Sequence, residues 1–216
     1  MTRKKDIDKN KNTIEDIQEL TKKQRRIISD ERILTSALLE FAENGYANAS
    51  LVNIARNARV SVGLVAQNFG CKELLFESVC KRNYQMLNLP YKGKKGDDWR
   101  ERIYDIITSY QKGAQNPSFI NELKFMCVAL CSKDVPNVFN DFFESSFEKS
   151  EIFPLLQAAQ KKSEIVKGDI FMLYSMMYRN ICIIILQCKK TGLAIPSKEW
   201  FIKPILKKSK KVKTNN

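Results

Sequence analysis

Histidine is absent from the 216-residue chain, so the side chain most often used as a general base is missing. Catalytic Ser–His–Asp and Cys–His arrangements are therefore excluded within the chain. The phosphate-binding patterns GxxxxGK[ST] and GxGxxG are absent as well. Without histidine, the six cysteines also lack a partner for a common metal site. We therefore predict no catalytic residue, no metal and no cofactor.

Glycine and proline are scarce, at eight and six residues, and most prolines stand where a helix would begin or end. This pattern favours an all-α protein, and 44% hydrophobic residues are enough for a sizeable core. The charged residues 1–12 lack the apolar segment of a secretory signal. The dense apolar run at residues 181–186 is too short to span a bilayer. We expect a cytoplasmic protein.

None of the six cysteines forms a CxxC pair, and several lie inside apolar helical stretches. Reduced, buried thiols in a cytosolic protein are the interpretation that this pattern favours. Cys127 and Cys131 are four residues apart and would share a helix face. A redox or metal role for these two cysteines is the alternative.

The net charge of +13 is concentrated at the C-terminus, where residues 198–216 contain seven basic residues and one acidic residue. The tail at 207–216 is expected to be a solvated end that could add non-specific attraction to DNA phosphates. Residues 1–24 are expected to form a basic, flexible N-terminal extension.

Apolar periodicity predicts four helices in the next third of the chain. Apolar residues recur at four-residue steps from Ile33 to Phe41, and Gly45 would end this first helix. Ser50 can cap a second helix, and Ser61 can cap a short third helix. A fourth helix follows directly.

A boundary rich in proline, glycine and lysine is predicted at residues 90–96, and more helices follow it. The segment 169–190 is apolar on most sides, so we predict a helix buried all round, either centrally or against a second subunit. The other predicted helices begin near residues 98, 117, 136, 152 and 200.

Residues 31–79 carry a set of spaced motifs that resembles the DNA-binding domain of the TetR family of bacterial transcriptional regulators. The motifs are Ala37-x3-Phe41-x3-Gly45-Tyr46, Ile54-Ala55-x2-Ala58, Val60-Ser61-x-Gly63 and Phe69-x2-Lys72-x2-Leu75. The resemblance implies a helix-turn-helix domain at 25–88 and a helical effector-binding and dimerisation domain at 89–206.

By this resemblance the third helix would enter the major groove. Ser61 and its neighbouring amides could hold a phosphate, and Gly63 permits close approach. Gln67 and Asn68 could contact base edges, and Lys72 could reach a phosphate. The predicted DNA-binding residues are Ser50, Leu51, Arg59, Ser61, Val62, Gly63, Leu64, Gln67, Asn68 and Lys72.

The sequence departs from the family pattern at three positions, one of which is Asn68, where the family often has tyrosine or histidine. Arg59 stands where the family usually has glycine, so we expect a strained turn in a preserved fold. Ala66 stands where the family usually has a tyrosine that braces against the DNA backbone. Arg56 and Arg59 could supply the missing phosphate contact.

The resemblance further implies a homodimer that binds a palindromic operator, most simply as a ligand-responsive repressor. Residues 152–162 and 169–190 would form the dimer seam, and the effector would be a small apolar or aromatic molecule. Its predicted contacts are Phe119, Phe125, Met126, Phe139, Phe143 and Tyr174.

Three alternatives remain open from the sequence. A regulator of the same fold could lack an effector or act as an activator, and a fully packed C-terminal core would favour it. A DNA-architectural protein would depend on its basic tail and bind scrambled DNA equally well. A helical enzyme is the remote alternative, because the sequence offers no converging polar groups.

Overall fold

The computed structural model describes residues 21–87, 98–150 and 152–206, and this part of the chain is built from α-helices. A short 3₁₀ turn at Lys203–Ile205 ends the last helix, and one isolated antiparallel bridge joins Ile165 to Leu206. The helices are α1 (Lys22–Asn48), α2 (Leu51–Ala58), α3 (Val62–Phe69), α4 (Lys72–Leu87), α5 (Trp99–Gly113), α6 (Pro117–Cys131), α7 (Asn137–Glu148), α8 (Ile152–Lys161), α9 (Ile170–Thr191) and α10 (Lys198–Ile202).

Helix α1 begins well before the apolar stripe that predicted it. Thr21 and Gln24 form a capping box, in which the Thr21 side chain accepts from the Gln24 N–H and the Gln24 side chain accepts from the Thr21 N–H. Near its end the helix is kinked at Gly45, whose φ of 73° is open to glycine without strain. The backbone at Gly45 is therefore not helical, so the predicted break is found there, and a short further helical segment runs to Asn48.

Helices α1 to α4 enclose a small apolar core, as the periodicity of the sequence predicts. Ile33, Ala37 and Phe41 of α1 are completely buried. The inward residues of the other three helices that meet them are Ile54, Ala55, Ala58, Val65, Leu75, Phe76 and Val79.

Helices α5 to α10 form the second domain, and their ends match the local signals. Asn116 Oδ1 accepts from the Ser118 N–H at 2.9 Å, and Pro117 occupies the first position of α6. Asp169 Oδ1 accepts from the Met172 N–H at 2.8 Å at the start of α9. The boundary predicted at 90–96 and the tail at 207–216 lie outside the described residues.

Helix α9 is a central helix of the second domain, and in the single chain one of its faces is exposed, where the prediction allowed for a second subunit. It packs against α5, α6, α7 and α8, and Ile181, Cys182 and Ile185 are completely buried. Met172 and Met176 on another face are 51% and 53% exposed. By length and composition this helix could cross a membrane, a test that core helices of soluble proteins also pass.

The two domains meet through α1 and α4 on one side and α6 and α7 on the other. The ring of Phe125 lies 5.5 Å from that of Phe76 and 6.5 Å from that of Phe41. Beside these rings, the side chain of Asn83 donates to the carboxylate of Glu122, and Arg82 pairs with the same carboxylate at 3.7 Å. Helix α6 therefore packs directly against α1 and α4 of the first domain.

Candidate nucleic-acid interface

The turn between α2 and α3 is closed by Arg59, which adopts the left-handed conformation with φ 54° and ψ 49°. Its backbone N–H bonds to the carbonyl groups of Ala55 and Arg56, and its own carbonyl accepts from Arg32 at 3.5 Å. The turn thus keeps a geometry that glycine normally adopts, although arginine stands there. The sequence predicted a strained turn in a preserved fold. The left-handed φ of Arg59, in a turn that still closes normally, agrees with this prediction.

Ser61 caps the short recognition helix α3, because its hydroxyl accepts from the Leu64 N–H at 3.1 Å. The N–H groups of Val62 and Gly63 lie in the first turn of α3 and have no acceptor within the helix. They can therefore bind an anion at the positive end of the helix dipole. A Cβ added at Gly63 would meet only the Ser61 hydroxyl, at 3.9 Å. The start of α3 is therefore an open surface with amides that can bind a phosphate.

Helix α3 presents a distinct outer face. Val65 is buried in the core, and Leu64 is half-buried. Ser61, Val62 and Gly63 are exposed together with Gln67 and with Ala66, where the family usually has tyrosine. Two polar side chains, Gln67 and Asn68, were predicted to contact base edges. Of these, Gln67 is exposed on the outer face of α3.

Asn68 lies elsewhere than predicted, because it is half-buried against α1 and not on the outer face. Its Nδ2 donates to Oδ1 of Asp30 at 2.7 Å, and Arg26 pairs with the other carboxylate oxygen at 3.8 Å. An amide side chain at this helix position reaches the neighbouring helix, which the local sequence does not reveal. In this structure Asn68 holds α3 against α1.

Lys72 also has a structural role that its sequence position did not suggest. Its ammonium donates to the carbonyl groups of Ala47 at 3.0 Å and Ala49 at 3.2 Å, at the carboxyl end of α1. The same group lies 4.8 Å from the centre of the Tyr46 ring. One of its three N–H groups remains for a phosphate, so the predicted DNA contact is compatible with this role.

The start of α2 depends on Glu40, a buried carboxylate that sequence analysis missed. Glu40 accepts from the Ser50 N–H at 3.1 Å and from Nδ2 of Asn53 at 3.3 Å. The Ser50 hydroxyl accepts from the Asn53 N–H at 3.5 Å, and Leu51 is half-buried against the core. Glu40 thus holds the N-terminal end of α2, where the predicted DNA-binding residues Ser50 and Leu51 lie.

The basic start of α1 lies beside α3, whereas residues 1–24 were expected to form a flexible basic extension. Lys22, Lys23, Arg26 and Arg32 are exposed on the first half of α1, and the Asp30–Asn68 bond places this half against α3. The capping pattern of threonine followed three residues later by glutamine was the available signal for the early start of this helix.

The six residues predicted to bind an effector belong to one continuous aromatic core. Phe125, Met126, Phe139 and Phe143 are buried, Tyr174 is buried at 9% exposure, and Phe119 is half-buried. The ring pairs within this core include Phe139–Phe143 at 6.0 Å, Tyr110–Phe119 at 5.3 Å and Phe147–Tyr174 at 4.4 Å.

Polar groups inside this core are few, and two of them satisfy each other. The hydroxyl groups of Tyr110 and Tyr178 are 2.6 Å apart, and burial raises the pKa of both well above the usual value. The Ser175 hydroxyl is buried without a hydrogen-bond partner. A ligand entering here would meet rings and hydroxyl groups, with no charged group among the six predicted residues.

Two surface grooves are lined by described residues of the second domain, and neither contains any of the six predicted effector residues. A groove of about 370 Å³ lies between α5 and α8, next to Trp99 and Glu164. A second groove of about 530 Å³ lies between α6 and α9, and its lining is mostly apolar.

Residues 33–79, which span α1 to α4, match the family model described as bacterial regulatory proteins of the tetR family. The chain belongs to the TetR family through this domain. The match runs from the middle of α1 to the middle of α4 and includes all of α2 and all of α3, whose outer face has just been described. TetR-family proteins are DNA-binding transcriptional regulators, and so is this protein.

Solved structures of TetR-family regulators share the whole fold at low sequence identity. A TetR-family transcription regulator from Marinobacter aquaeolei VT8 has a TM-score of 0.65 at 15% identity, covering 86% of this chain and 100% of that one. A TetR-family transcriptional regulator from Haemophilus influenzae RD has a TM-score of 0.62 at 18% identity, covering 83% and 99%. No curated protein sequence matches the chain.

Proposed function

We propose that this regulator is a homodimeric repressor that binds a palindromic operator with one α3 helix from each copy. The observation that carries the proposal is the exposed start of α3, where Ser61, Gly63 and Gln67 face outward. Backbone amides there can hold a phosphate, and the Gln67 amide can reach a base edge. The basic first half of α1 and Arg59 add positive charge around this surface.

The exposed face of α9 supports the proposed dimer. Met172 and Met176 are separated by one helical turn, and both are more than half exposed, while the opposite face of α9 lies in the core. An apolar stripe of this kind fits against the same stripe of a second copy related by twofold symmetry. The proposed seam comprises α8 and α9, as the resemblance implied.

The proposed effector is a small apolar or aromatic molecule that enters the aromatic core of the second domain. Phe125 belongs to this core and also touches Phe41 and Phe76 of the DNA-binding domain. A molecule that separates these rings would therefore change the position of α6 relative to α4. Different affinity for the two arrangements would release the operator.

A regulator without an effector is the second candidate, and the dense ring packing favours it. Every ring among the six predicted residues contacts another ring, so an effector must displace side chains to bind. Such a protein would bind DNA with the same affinity whatever small molecule is present.

Binding to duplexes from the region upstream of the protein's own gene tests the DNA proposal. We expect Gln67→Ala to lose about 1–3 kcal/mol of discrimination between operator and scrambled duplex. Arg59→Ala should weaken both duplexes and reduce the salt slope by about one. Lys133→Ala, which removes an exposed charge far along the chain in the loop before α7, is the matched control. Equal binding of wild type to both duplexes would contradict the proposal and favour the architectural alternative.

Analytical sedimentation measures the proposed equilibrium between monomer and dimer. Met176→Glu places a charge on the exposed face of α9 and should shift this equilibrium towards the monomer. Leu74→Glu changes a side chain of similar exposure on α4 and should leave the assembly unchanged.

Screening apolar and aromatic compounds for release of the operator then distinguishes a regulator with an effector from a regulator without one. Release by a compound that also raises the melting temperature supports the effector, and unchanged DNA affinity at saturation contradicts it.

A further inference from the structure

The groove between α6 and α9 has an apolar floor that is open to solvent. Its volume is about 530 Å³, and Ile120 of α6 lines it together with Ile183 and Leu186 of α9. Ile183 is 45% exposed, so this apolar surface is uncovered in the single chain. Sites for small molecules typically have this size and an apolar lining, with a few polar groups that orient the ligand.

The charged residues that line the same groove are all cationic. Lys124 lies on α6, and Lys189 and Lys190 lie in the last turn of α9. The three lysines are exposed, and none of them forms an ion pair with a described carboxylate. Among the described lining residues there is no aspartate or glutamate. The groove therefore favours a negative charge next to its apolar floor.

A second copy of the chain would fit this groove poorly, although Ile183 lies two helical turns after Met176 on the exposed face of α9. A copy laid across the groove about a twofold axis would bring its own three lysines towards these three. Like charges brought together across an interface oppose association. The charge of the groove thus favours a small anion over a second copy.

We propose that the α6–α9 groove binds an aliphatic carboxylate, with the alkyl chain on the apolar floor and the carboxylate among the three lysines. Lysine suits such a site because its alkyl stem can lie along apolar surface while its ammonium stays in water. The site is separate from the aromatic core, because none of the six predicted effector residues lines the groove.

The position of the groove connects it to the DNA-binding domain. Lys124 directly precedes Phe125, whose ring packs against Phe41 and Phe76 across the domain junction. A chain bound between α6 and α9 favours one separation of these two helices. We expect saturation of the groove to change operator affinity by about fivefold or more, the size of a typical coupling between sites. This consequence rests on the proposed function, whereas binding of the carboxylate does not.

Calorimetric titration of the full-length protein tests the class of ligand. Decanoate carries both the chain and the charge, decanol carries the chain alone, and acetate carries the charge alone. We expect decanoate to bind about fivefold more tightly than decanol, the effect of one exposed ion pair, and acetate not to bind at the same concentrations. Octanoate should bind about threefold or more weakly than decanoate, because it buries fewer methylene groups. Equal affinities of decanoate and decanol, or of decanoate and octanoate, would overturn the proposal.

Lys124→Gln/Lys190→Gln locates the site, because it removes one charge from each wall of the groove. This variant should lose about fivefold in decanoate affinity and keep its affinity for decanol. Its melting temperature should stay close to that of wild type, since both side chains are exposed. Lys112→Gln/Lys167→Gln removes the same charge from exposed positions outside the groove and is the matched control. Equal decanoate affinity of the two variants would overturn the proposal.

Two further measurements distinguish this site from the proposed function. Decanoate should leave the sedimentation of the protein unchanged, and a shift towards the monomer would show that a second copy covers the groove and would overturn the proposal. Operator affinity should respond to decanoate in wild type at concentrations that leave Lys124→Gln/Lys190→Gln unaffected. Decanoate binding without any effect on DNA would keep the site and contradict only its regulatory consequence. Failure to bind the operator even without decanoate would instead contradict the proposed function, and the titrations would still decide the site.

Discussion

The two domains are both helical, yet different interactions hold their helices together. In the DNA-binding domain, buried or half-buried polar side chains tie short helices to their neighbours, as Glu40 ties Ser50 and Asn68 ties Asp30. In the second domain, aromatic rings such as Phe143, Phe147 and Tyr174 fill the space between longer helices. Helices of eight residues, such as α2 and α3, bury little apolar surface, so polar contacts at their ends determine their orientation.

This difference suits a protein that must keep one surface rigid while another part can change. Hydrogen bonds are directional and fix the outer face of α3 at a defined orientation. Ring contacts tolerate several geometries of similar energy, so the second domain can repack around a ligand. Phe125 belongs to the ring system and touches both domains, which makes it the sharpest place to test the comparison.

The largest effect is expected from Phe125→Ala, which removes a completely buried ring from the domain junction. We expect a loss of about 3–5 kcal/mol in the free energy of unfolding, because truncation leaves a cavity. Urea unfolding followed by circular dichroism measures it, and loss of the junction should separate the transition into two steps. Phe119→Ala, at a half-buried ring within the second domain, should cost less and keep one transition.

A smaller loss is expected from Glu40→Ala in the DNA-binding domain. This change leaves the Ser50 N–H and the Asn53 amide without their acceptor, at a cost of about 1–3 kcal/mol. The exposed Glu43→Ala is the matched control and should stay within about 0.5 kcal/mol of wild type. Equal stability of the two variants in urea would show that polar contacts do not hold this domain.

Arg59→Gly should raise the free energy of unfolding, although it removes a side chain. Glycine adopts the left-handed turn without the cost of a Cβ, and its greater freedom in the unfolded chain offsets part of the gain. The net stabilisation should be below about 1 kcal/mol. Arg56→Gly, inside α2, should instead destabilise by about 1 kcal/mol. A loss of stability in Arg59→Gly would contradict the strain at this turn.

The effect of Glu122→Gln depends on pH and should vanish in acid. Burial raises the pKa of Glu122 above its ordinary value of 4.5, against the opposing influence of Arg82 and Asn83. Its contribution to stability is therefore complete below pH 4.5 and is lost as pH rises through the higher pKa of the folded state. Glutamine keeps an acceptor for Asn83 without a charge to bury.

Thermal unfolding at several pH values measures this change. We expect Glu122→Gln to melt above wild type at pH 7 and to approach it below pH 4.5, where both side chains are neutral. A deficit of the variant at pH 7 would mean that the ion pair with Arg82 outweighs the burial of the charge.

Patterns between near neighbours in the sequence predicted most of the fold. The steps from Ile33 to Phe41, the caps at Ser50 and Ser61, and the proline after Asn116 each act within a few residues. The spaced motifs of 31–79 led to the family that the comparison with known proteins confirms. The predicted DNA-binding and effector residues remain predictions, although the structure shows what surrounds each of them.

The sequence by itself determined the helices, their caps and the regulator family, because these depend on residues at fixed short spacings. Only the tertiary structure decided which side chains are exposed for binding and which are already engaged within the protein. Asn68 and Lys72 bind groups of α1, and the buried carboxylate of Glu40 binds the start of α2. Their partners lie from 10 to 38 residues away along the chain, so only the packing of helices brings them within hydrogen-bonding distance.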